Sequence, residues 1–302
     1  MDIRWLILIV LLKTVYGKIN IDISGSRNLS DVNINYSGYD INIITDLERK
    51  LFGIDNAALV SAVTKLYGIR PTNIYVKSPT PWGDLYKTYH WEQVSRVLTV
   101  KSATVKSIVK QPVLVLSHDF DNVSNYTIKV NTGMSQTVEN TVSTSWTRSH
   151  EIAVSQEVEY GLNVIFAKAT GTTGFSFSSS WGKSEEKSET ITIGTNAGME
   201  TELKPGQSAT VDLTANRGYL EIEVVYAATL RGHVAVNYRK KINGHHFLFP
   251  SIENVMTSGG LTNEKTSVEI IKIGYYTDAS LKVYDKINIV TITMYNFTYV
   301  YL

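Results

Sequence analysis

The feature that most constrains this chain is an alternation of apolar and polar side chains that begins near residue 94 and continues almost to the end. Successive side chains of a β-strand point to opposite faces of a sheet, so a period of two predicts strands. The runs lie at residues 97–109, 113–116, 126–130, 135–156, 176–193, 208–213, 219–236, 266–276 and 281–290. No repeat of about 20 to 50 residues accompanies them, which argues against a solenoid or a propeller. We therefore expect a mainly β, antiparallel protein.

Helical signals occur in one place only, ahead of these strands. Thr45 and Glu48 have the spacing of a capping box at the start of a short apolar stretch. Asp55 opens a second amphipathic stretch that ends at Gly68. The sequence thus predicts a small α+β N-terminal domain over residues 18–100 and an elongated β module over residues 101–302.

Residues 1–17 have the layout of a cleaved secretory signal. Arg4 is followed by the apolar run 5–12 and by a small residue, Gly17. The run is too short to span a bilayer, which takes about 20 apolar residues. The sequence therefore predicts a secreted protein.

Composition narrows the class of protein further. The 29 Lys and Arg nearly balance the 28 Asp and Glu, which argues against a nucleic-acid partner. The chain has no cysteine, so stability must come from burial and sheet hydrogen bonds rather than from disulfides. Five Asn-x-Ser/Thr sequons are candidate glycosylation sites of a secreted protein. They begin at Asn28, Asn35, Asn122, Asn125 and Asn296.

An amphipathic hairpin at about residues 150–181 carries the functional prediction. Of the 55 residues from 141 to 195, 19 are Ser or Thr, yet the segment alternates too regularly for a linker. Apolar residues stand at even positions of the first arm and at odd positions of the second. Antiparallel arms joined by an even-numbered loop pair positions whose numbers sum to an odd value, so both apolar sets share one face. This register predicts a turn near Phe166.

The apolar face of the hairpin suits lipid, and the opposite face suits a water-filled lumen. The predicted membrane-inserting residues are Ile152, Val154, Val158, Tyr160, Leu162, Val164, Ile165, Phe166, Phe175, Phe177 and Trp181. The predicted lumen-facing residues are Glu151, Glu157 and Glu159. A single hairpin leaves unpaired edges in a bilayer, so insertion requires a closed barrel shared among copies of the chain. An ordinary amphipathic hairpin that covers a sheet has the same alternation and is the alternative.

A second candidate site is an aromatic segment that follows Pro79 and Pro81. Its residues are Trp82, Tyr86, Tyr89 and Trp91. Sugars and lipid headgroups dock well on Trp and Tyr, so this segment is a candidate receptor patch. The alternative is that Trp82, Tyr86 and Trp91 anchor the core of the N-terminal domain.

The sequence offers no chemistry of the common enzyme classes. It lacks a Gly-x-Ser-x-Gly elbow, a His-Glu-x-x-His motif, a phosphate loop and a dinucleotide fingerprint. The adjacent pair His245 and His246 would point to opposite faces of a strand and hold one metal ion poorly. We therefore expect no catalytic site, no cofactor and no metal. Histidine titration at His118, His150, His233 or His245 is a candidate pH trigger.

The order of motifs in the β module resembles the pore-forming module of the aerolysin-like proteins, the group with epsilon-toxin and the mosquitocidal toxins. The strand that ends in Ser145-Trp146-Thr147 is followed by the hairpin, then by Ser179-Ser180-Trp181-Gly182-Lys183-Ser184 and by the Pro205-Gly206 turn before a strand. This resemblance implies an elongated aerolysin-like fold, a target membrane as partner and a homo-oligomer on that membrane.

A narrower resemblance covers nearly the whole chain. Pro81-Trp82-Gly83-Asp84-Leu85-Tyr86, Gly244-His245-His246-Phe247 and Ile273-Gly274-Tyr275-Tyr276 are similar to the spherulin-2A and insect follicular-epithelium yolk protein group. Three functions follow as hypotheses: a secreted pore-forming toxin or defence protein, an egg or coat storage protein without pore activity, and a lectin-like binding module. The activation trigger (protease, pH or receptor) stays open.

Overall fold

The computed structural model describes residues 18–25, 32–147, 152, 158–168, 171–195, 199–289 and 291–297, and their side chains except those of 166–168, 171–177, 195 and 295–297. The strands are β1 (Asn20–Gly25), β2 (Asn33–Ser37), β3 (Asp40–Ile43), β4 (Asn73–Tyr75), β5 (Ser95–Asp121), β6 (Ile128–Asn131), β7 (Met134–Trp146), β8 (Glu159–Lys168), β9 (Gly171–Ser180), β10 (Glu186–Thr195), β11 (Glu200–Leu203), β12 (Ser208–Arg231), β13 (Ala235–Ile242), β14 (His245–Leu248), β15 (Lys265–Asp285) and β16 (Thr291–Phe297). The helices are α1 (Asp46–Leu51), α2 (Asn56–Tyr67), α3 (Pro81–Thr88) and α4 (Ile252–Gly259).

The frame of the molecule is an antiparallel sheet of unusually long strands. Its strand order is β10-β7-β15-β12-β5-β3, and β16 pairs with β15. The central strand, β12, has 24 residues and pairs along its length with β5 on one side and β15 on the other. At about 3.3 Å per residue, such strands approach 80 Å in length. This elongated, mainly β architecture confirms the predicted fold class.

Two hydrophobic clusters lie along this sheet. One contains buried residues from the half of the sheet around Ile222 and Ile271, here called the upper half. It also contains buried residues of β1 and β8. The other contains Leu213, Leu281 and Ile193 at the opposite end. The upper half of the long sheet therefore packs against a second sheet, of order β2-β1-β8-β9.

The strand β5 is continuous where the sequence predicted two strands, 97–109 and 113–116. Its ladder with β12 skips one residue of β5 at Lys101, at Lys106 and at Val115, which are three β-bulges. Each extra residue reverses which positions face the core. Between residues 99 and 121, β5 pairs with β12 alone among the described strands. Bulges, lysines and a proline, here Pro112, are features that keep such an edge from pairing with other chains.

The helical end of the molecule combines distant parts of the chain. The predicted capping box is confirmed, since Thr45 caps α1 and its backbone N–H donates to the Glu48 carboxylate at 2.8 Å. The expectation that helices occur in one place only is wrong, because α4 forms after residue 251 and packs on α2. Gly259 permits this approach, since a Cβ there would lie 2.8 Å from the Cβ of Ala62. In the same region β13 pairs with β4.

A buried cation joins this end to the long sheet. Arg96 of β5 is fully buried, and its guanidinium lies 2.7 Å from Glu48 of α1 and 2.7 Å from Asp40 of β3. Glu48 is itself 2% exposed and also accepts from Thr45. Removing one partner of such a group leaves an uncompensated buried charge.

Replacing Arg96 with Ala is therefore expected to lower the free energy of unfolding by about 3–5 kcal/mol. The matched control is Arg231→Ala, since Arg231 pairs with Glu92 at 3.0 Å with about half of each side chain exposed. Its cost should stay below about 1 kcal/mol. Urea denaturation followed by circular dichroism measures both. Equal costs for the two substitutions would contradict the structural role of the buried triad.

Candidate functional site

The predicted amphipathic hairpin is formed by β8 and β9, each of ten residues. The strands pair Tyr160 with Ser179, Leu162 with Phe177 and Val164 with Phe175. Even positions of the first arm thus face odd positions of the second, which is the parity that the alternation predicts. The predicted turn near Phe166 is wrong, because Phe166 is still within β8 and pairing continues to Lys168 and Gly171.

The apolar face of β8 is buried in the protein. Tyr160, Leu162 and Val164 are each 0% exposed and belong to the upper hydrophobic cluster. Ile152 and Val158, just before the hairpin, are also buried, and Trp181 packs against the same cluster. Ile165 lies on the other face and is 45% exposed. Val154, Glu151, Glu157 and the side chains of Phe166, Phe175 and Phe177 lie outside the described residues.

The hairpin is attached to the second sheet through one parallel neighbour. β1 pairs with β8 over six residues, from Asn20 opposite Gly161 to Gly25 opposite Phe166. Across this seam the Asn163 amide donates to the Asp22 carboxylate at 2.7 Å. The ammonium group of Lys18 donates to Ser178 at 2.6 Å and lies 3.7 Å from the carboxylate of Glu159, a predicted lumen-facing residue. Beyond β8, β9 has no further partner among the described strands.

The base of the hairpin rests on a cluster of aromatic rings. The ring of Trp146 is stacked on Tyr226 with their centroids 5.4 Å apart, and it meets Tyr160 edge-on at 6.4 Å. Trp181 lies 4.5 Å from Trp146 and 4.8 Å from Tyr226, measured between centroids. Residues of the hairpin and of the long sheet are therefore interleaved at this point.

A carboxylate is enclosed within the aromatic cluster. Glu269 of β15 is 0% exposed, and it accepts hydrogen bonds from the hydroxyl groups of Tyr160 and, at 2.7 Å, of Tyr226. Burial raises the pKa of Glu269 to about 7, and the hydrogen bonds from the two tyrosines oppose this rise. None of the described Lys, Arg or His residues forms an ion pair with it. The carboxylate thus links the hairpin to the long sheet without a compensating cation.

The second predicted site, the aromatic patch, is divided between core and surface. Tyr86 is 2% exposed, and its hydroxyl lies 2.8 Å from the carbonyl oxygen of Tyr75, so it belongs to the core. Trp82 and Tyr89 are 46% and 55% exposed. Tyr89 is stacked on Trp91, and Trp91 is stacked on Phe249 at 3.9 Å between centroids.

Local backbone strain accompanies the exposed tryptophan. Trp82, Gly83 and Asp84 have consecutive positive φ angles of 66°, 77° and 62°. Such conformations cost a non-glycine residue of the order of 1 kcal/mol or more, and they cluster at functional sites. The Ser78 hydroxyl donates to the Asp84 carboxylate, which also lies 3.6 Å from the Lys87 ammonium. These contacts fix the turn that presents Trp82.

The predicted glycosylation sites differ in their accessibility. Asn122 is 2% exposed and its amide nitrogen donates to the carbonyl oxygens of Leu203 and Lys204, so a glycan at Asn122 is incompatible with this structure. Asn35 and Asn125 are exposed. Asn28 and the side chain of Asn296 lie outside the described residues.

Two further kinds of site are absent from the part of the chain that the structure describes. Within the described ranges no group of three or more His, Asp or Glu side chains has the arrangement to hold a metal ion. Across the same ranges no helix combines the length and the apolar character needed to cross a membrane.

Two parts of the hairpin site were not predicted from the sequence. The strand β1 gave no signal of its own, because six residues near the N-terminus do not reveal their partner. Glu269 did carry a signal, since it occupies the same strand parity as the buried Ile271 and Ile273. A charged residue at a core position of an alternating strand indicates an unusual partner.

Comparison with known proteins finds relatives that are named as toxins. No protein-family model matches the sequence. U-megalopygitoxin(8)-Mo12 of Megalopyge opercularis is 37% identical over 287 residues, which cover 95% of this chain and 99% of that protein. U-megalopygitoxin(8)-Mc8 of Megalopyge crispata is 36% identical over 287 residues, with the same coverage. This chain belongs to the U-megalopygitoxin(8) family.

The fold of this megalopygitoxin is also that of a solved bacterial toxin. Parasporin-2 of Bacillus thuringiensis, a toxin described as recognising cancer cells, is 16% identical, with a TM-score of 0.57. The match covers 86% of this chain and all of parasporin-2. The aerolysin-like fold and the toxin-named relatives support the broad resemblance. The narrower spherulin and yolk-protein assignment has no such support.

The docked state of the hairpin in this megalopygitoxin has a direct test. Leu162→Ala removes a fully buried side chain and is expected to lower the free energy of unfolding by about 2–5 kcal/mol. Ile165→Ala, three residues along the same strand, removes a half-exposed side chain and should change it by less than about 1 kcal/mol. Urea denaturation distinguishes the two. Similar small effects would show that the apolar face of β8 is not packed in solution.

Proposed function

We propose that this megalopygitoxin is a secreted pore-forming toxin that inserts the β8–β9 hairpin of each of several copies into a target membrane as one β-barrel. The observation that carries the proposal is that the lipid-compatible face of β8, with Tyr160, Leu162 and Val164, is covered by protein in the soluble state. A chain that buries this face can dissolve in water, and one that exposes it needs lipid.

The dimensions of the hairpin support membrane insertion. Each arm has ten residues, and a tilted transmembrane strand needs about 9–11. The arms have the alternating pattern of a barrel strand, with lipid on one side and water on the other. In lipid, the outer edges of β8 and β9 must find partners, and hairpins of neighbouring copies supply them. The homo-oligomer is therefore part of the proposal.

The relatives favour one of the competing hypotheses from the sequence. Proteins named as toxins align with nearly the whole chain, which favours a toxin over an egg or coat storage protein. Pore formation needs no catalytic group, and the proposal includes no enzymatic step.

A reversible lock tests whether the hairpin must leave the second sheet. Asp22→Cys with Asn163→Cys places two thiols on paired residues whose side chains already meet, and the chain has no other cysteine. A disulfide there requires a Cβ–Cβ separation of about 3.8 Å, which paired strand residues approach. We expect the oxidised form to release no dye from liposomes made of lipids of a susceptible cell. The same protein after reduction should release it at the rate of the unmodified chain.

Reduction of the locked protein serves as the matched control, because both states have the same sequence. Equal dye release before and after reduction would contradict the proposed movement of the hairpin. Mass spectrometry under both conditions verifies that the disulfide has formed and opened.

We also propose the exposed faces of Trp82 and Tyr89 as the first contact with the target cell. Exposed aromatic side chains of this size bind sugar rings and lipid headgroups, and the strained turn at Trp82 holds one of them outward. This surface lies at the helical end of the molecule, and its residues are far from the β8–β9 hairpin in the sequence.

Replacement of Trp82 with Ala is expected to weaken binding to susceptible cells by about tenfold, as for a central aromatic contact worth about 1.4 kcal/mol. The control is Tyr126→Ala, which removes an aromatic side chain that is 71% exposed in the connection between β5 and β6. Flow cytometry of fluorescently labelled protein measures both. A loss of binding that is equal for the two variants would contradict a specific role of Trp82.

A further inference from the structure

Glu269 is placed where the fixed and the movable parts of the proposed mechanism meet. It lies on β15, an inner strand of the long sheet. One of its two hydrogen-bond donors, Tyr226, belongs to the neighbouring strand β12. The other donor, Tyr160, belongs to β8 of the hairpin. Withdrawal of the hairpin therefore removes one donor and opens the carboxylate to water.

We infer that Glu269 is the release switch of the hairpin: the hairpin stays docked while Glu269 is neutral, and ionisation of Glu269 favours its release. This inference deepens the proposed function and rests on it for the membrane step. The docking equilibrium itself is a property of the soluble protein and is tested without a membrane.

The surroundings of Glu269 penalise its charged form. Among the described residues, the titratable groups that act on it are Tyr160 from β8, Tyr226 from β12 and Glu185 from the connection between β9 and β10. The two hydroxyl groups donate to the carboxylate, which lowers its pKa. The negative charge of Glu185, like burial, raises the pKa of Glu269. The rings of Trp146 and Trp181 pack against Tyr226, one of its two donors. None of these described groups is a cation, so they leave a negative charge on buried Glu269 without a compensating partner.

The direction of the pH dependence follows from this environment. Burial raises the pKa of Glu269 from 4.5 to about 7 in the docked state, and exposure to water after release returns it toward its usual value. Docking is therefore strongest below about pH 4.5, weakens as the pH rises, and is weakest above about 7. Neutral and alkaline media favour release, which is the opposite of a histidine trigger, and none of the described histidines is among the groups that act on Glu269.

A single reporter cysteine measures docking directly, because the chain has none of its own. Val164→Cys places a thiol on the buried face of β8, where Val164 is 0% exposed. Val123→Cys is the matched reference, since the same residue type is 94% exposed there. The ratio of their labelling rates with a thiol reagent removes the pH dependence of the thiol chemistry. The ratio is measured from pH 5 to pH 8.5, with Glu269 intact and with Glu269→Gln.

With Glu269 intact, the labelling ratio is expected to rise at least about tenfold between pH 5 and pH 8. With Glu269→Gln, which keeps a neutral acceptor, the ratio should stay at its low, acidic value throughout. A flat ratio in the protein with Glu269, including no labelling at either pH, overturns the inference. The same rise in Glu269→Gln also overturns it.

A second variant keeps the test valid if Glu269→Gln fails to fold. Tyr226→Phe removes one donor to the carboxylate but leaves the hairpin contact of Tyr160 in place. Because a hydrogen bond to the charged form lowers a pKa, the midpoint of the labelling curve should move to higher pH. An unchanged midpoint, or a shift to lower pH, overturns the inference.

Dye release separates this inference from the proposed function. If the labelling ratio rises with pH only when Glu269 is present, but liposomes stay intact, the switch holds and pore formation by the hairpin is wrong. If liposomes leak with the same pH dependence in the Glu269→Gln variant, pore formation stands and the switch is wrong.

Discussion

The apolar face of β8 must be covered in every state of the molecule, and most of the structure follows from how it is covered in water. The inner face of β12 and β15 provides that cover through residues such as Ile222, Val224 and Ile271, which share one cluster with Leu162 and Val164. Burying each large apolar side chain is worth about 1.5–3 kcal/mol. Release of the hairpin in water therefore loses several such contributions at once. Only a surface of similar polarity, such as lipid, restores them, so in water the docked hairpin is favoured over the released one.

The backbone of the hairpin imposes a second requirement, which β1 meets. β8 is bonded to β9 on one side and to β1 on the other, in parallel. This parallel pairing covers only six residues and is reinforced by few side-chain contacts, such as Asn163 with Asp22. A short strand at the start of the described chain is easier to replace than a central strand of a long sheet. The backbone groups of β8 that β1 satisfies in parallel can be satisfied in a barrel by a neighbouring hairpin, so the proposed exchange leaves them paired.

The sequence determined the local features and left the distant pairings open. Alternation at Tyr160, Leu162 and Val164 sufficed to predict the parity of the hairpin, because a period of two fixes which side chains share a face. It did not locate the turn, since the pattern is compatible with several loops of even length. The three bulges of β5 hid a 27-residue strand, because each extra residue, such as Lys106, reverses the alternation. The partner of β1 and the packing of α4 on α2 depend on contacts between distant residues, which no local pattern records.

Glu269 shows why a core of this kind contains a group that weakens it. Its neighbours on the same face of β15, Ile271 and Ile273, are fully apolar, and an apolar residue at position 269 would continue that pattern without the cost of desolvating a carboxylate. Replacing buried charged groups with well-packed apolar ones often stabilises a protein. A core optimised for stability alone would therefore hold the hairpin more tightly than a molecule that must release it. Two tyrosine hydroxyls offset part of the cost of the carboxylate, and one of them, on Tyr160, leaves with the hairpin. The residual penalty is thus concentrated at the contact that the proposed mechanism has to break.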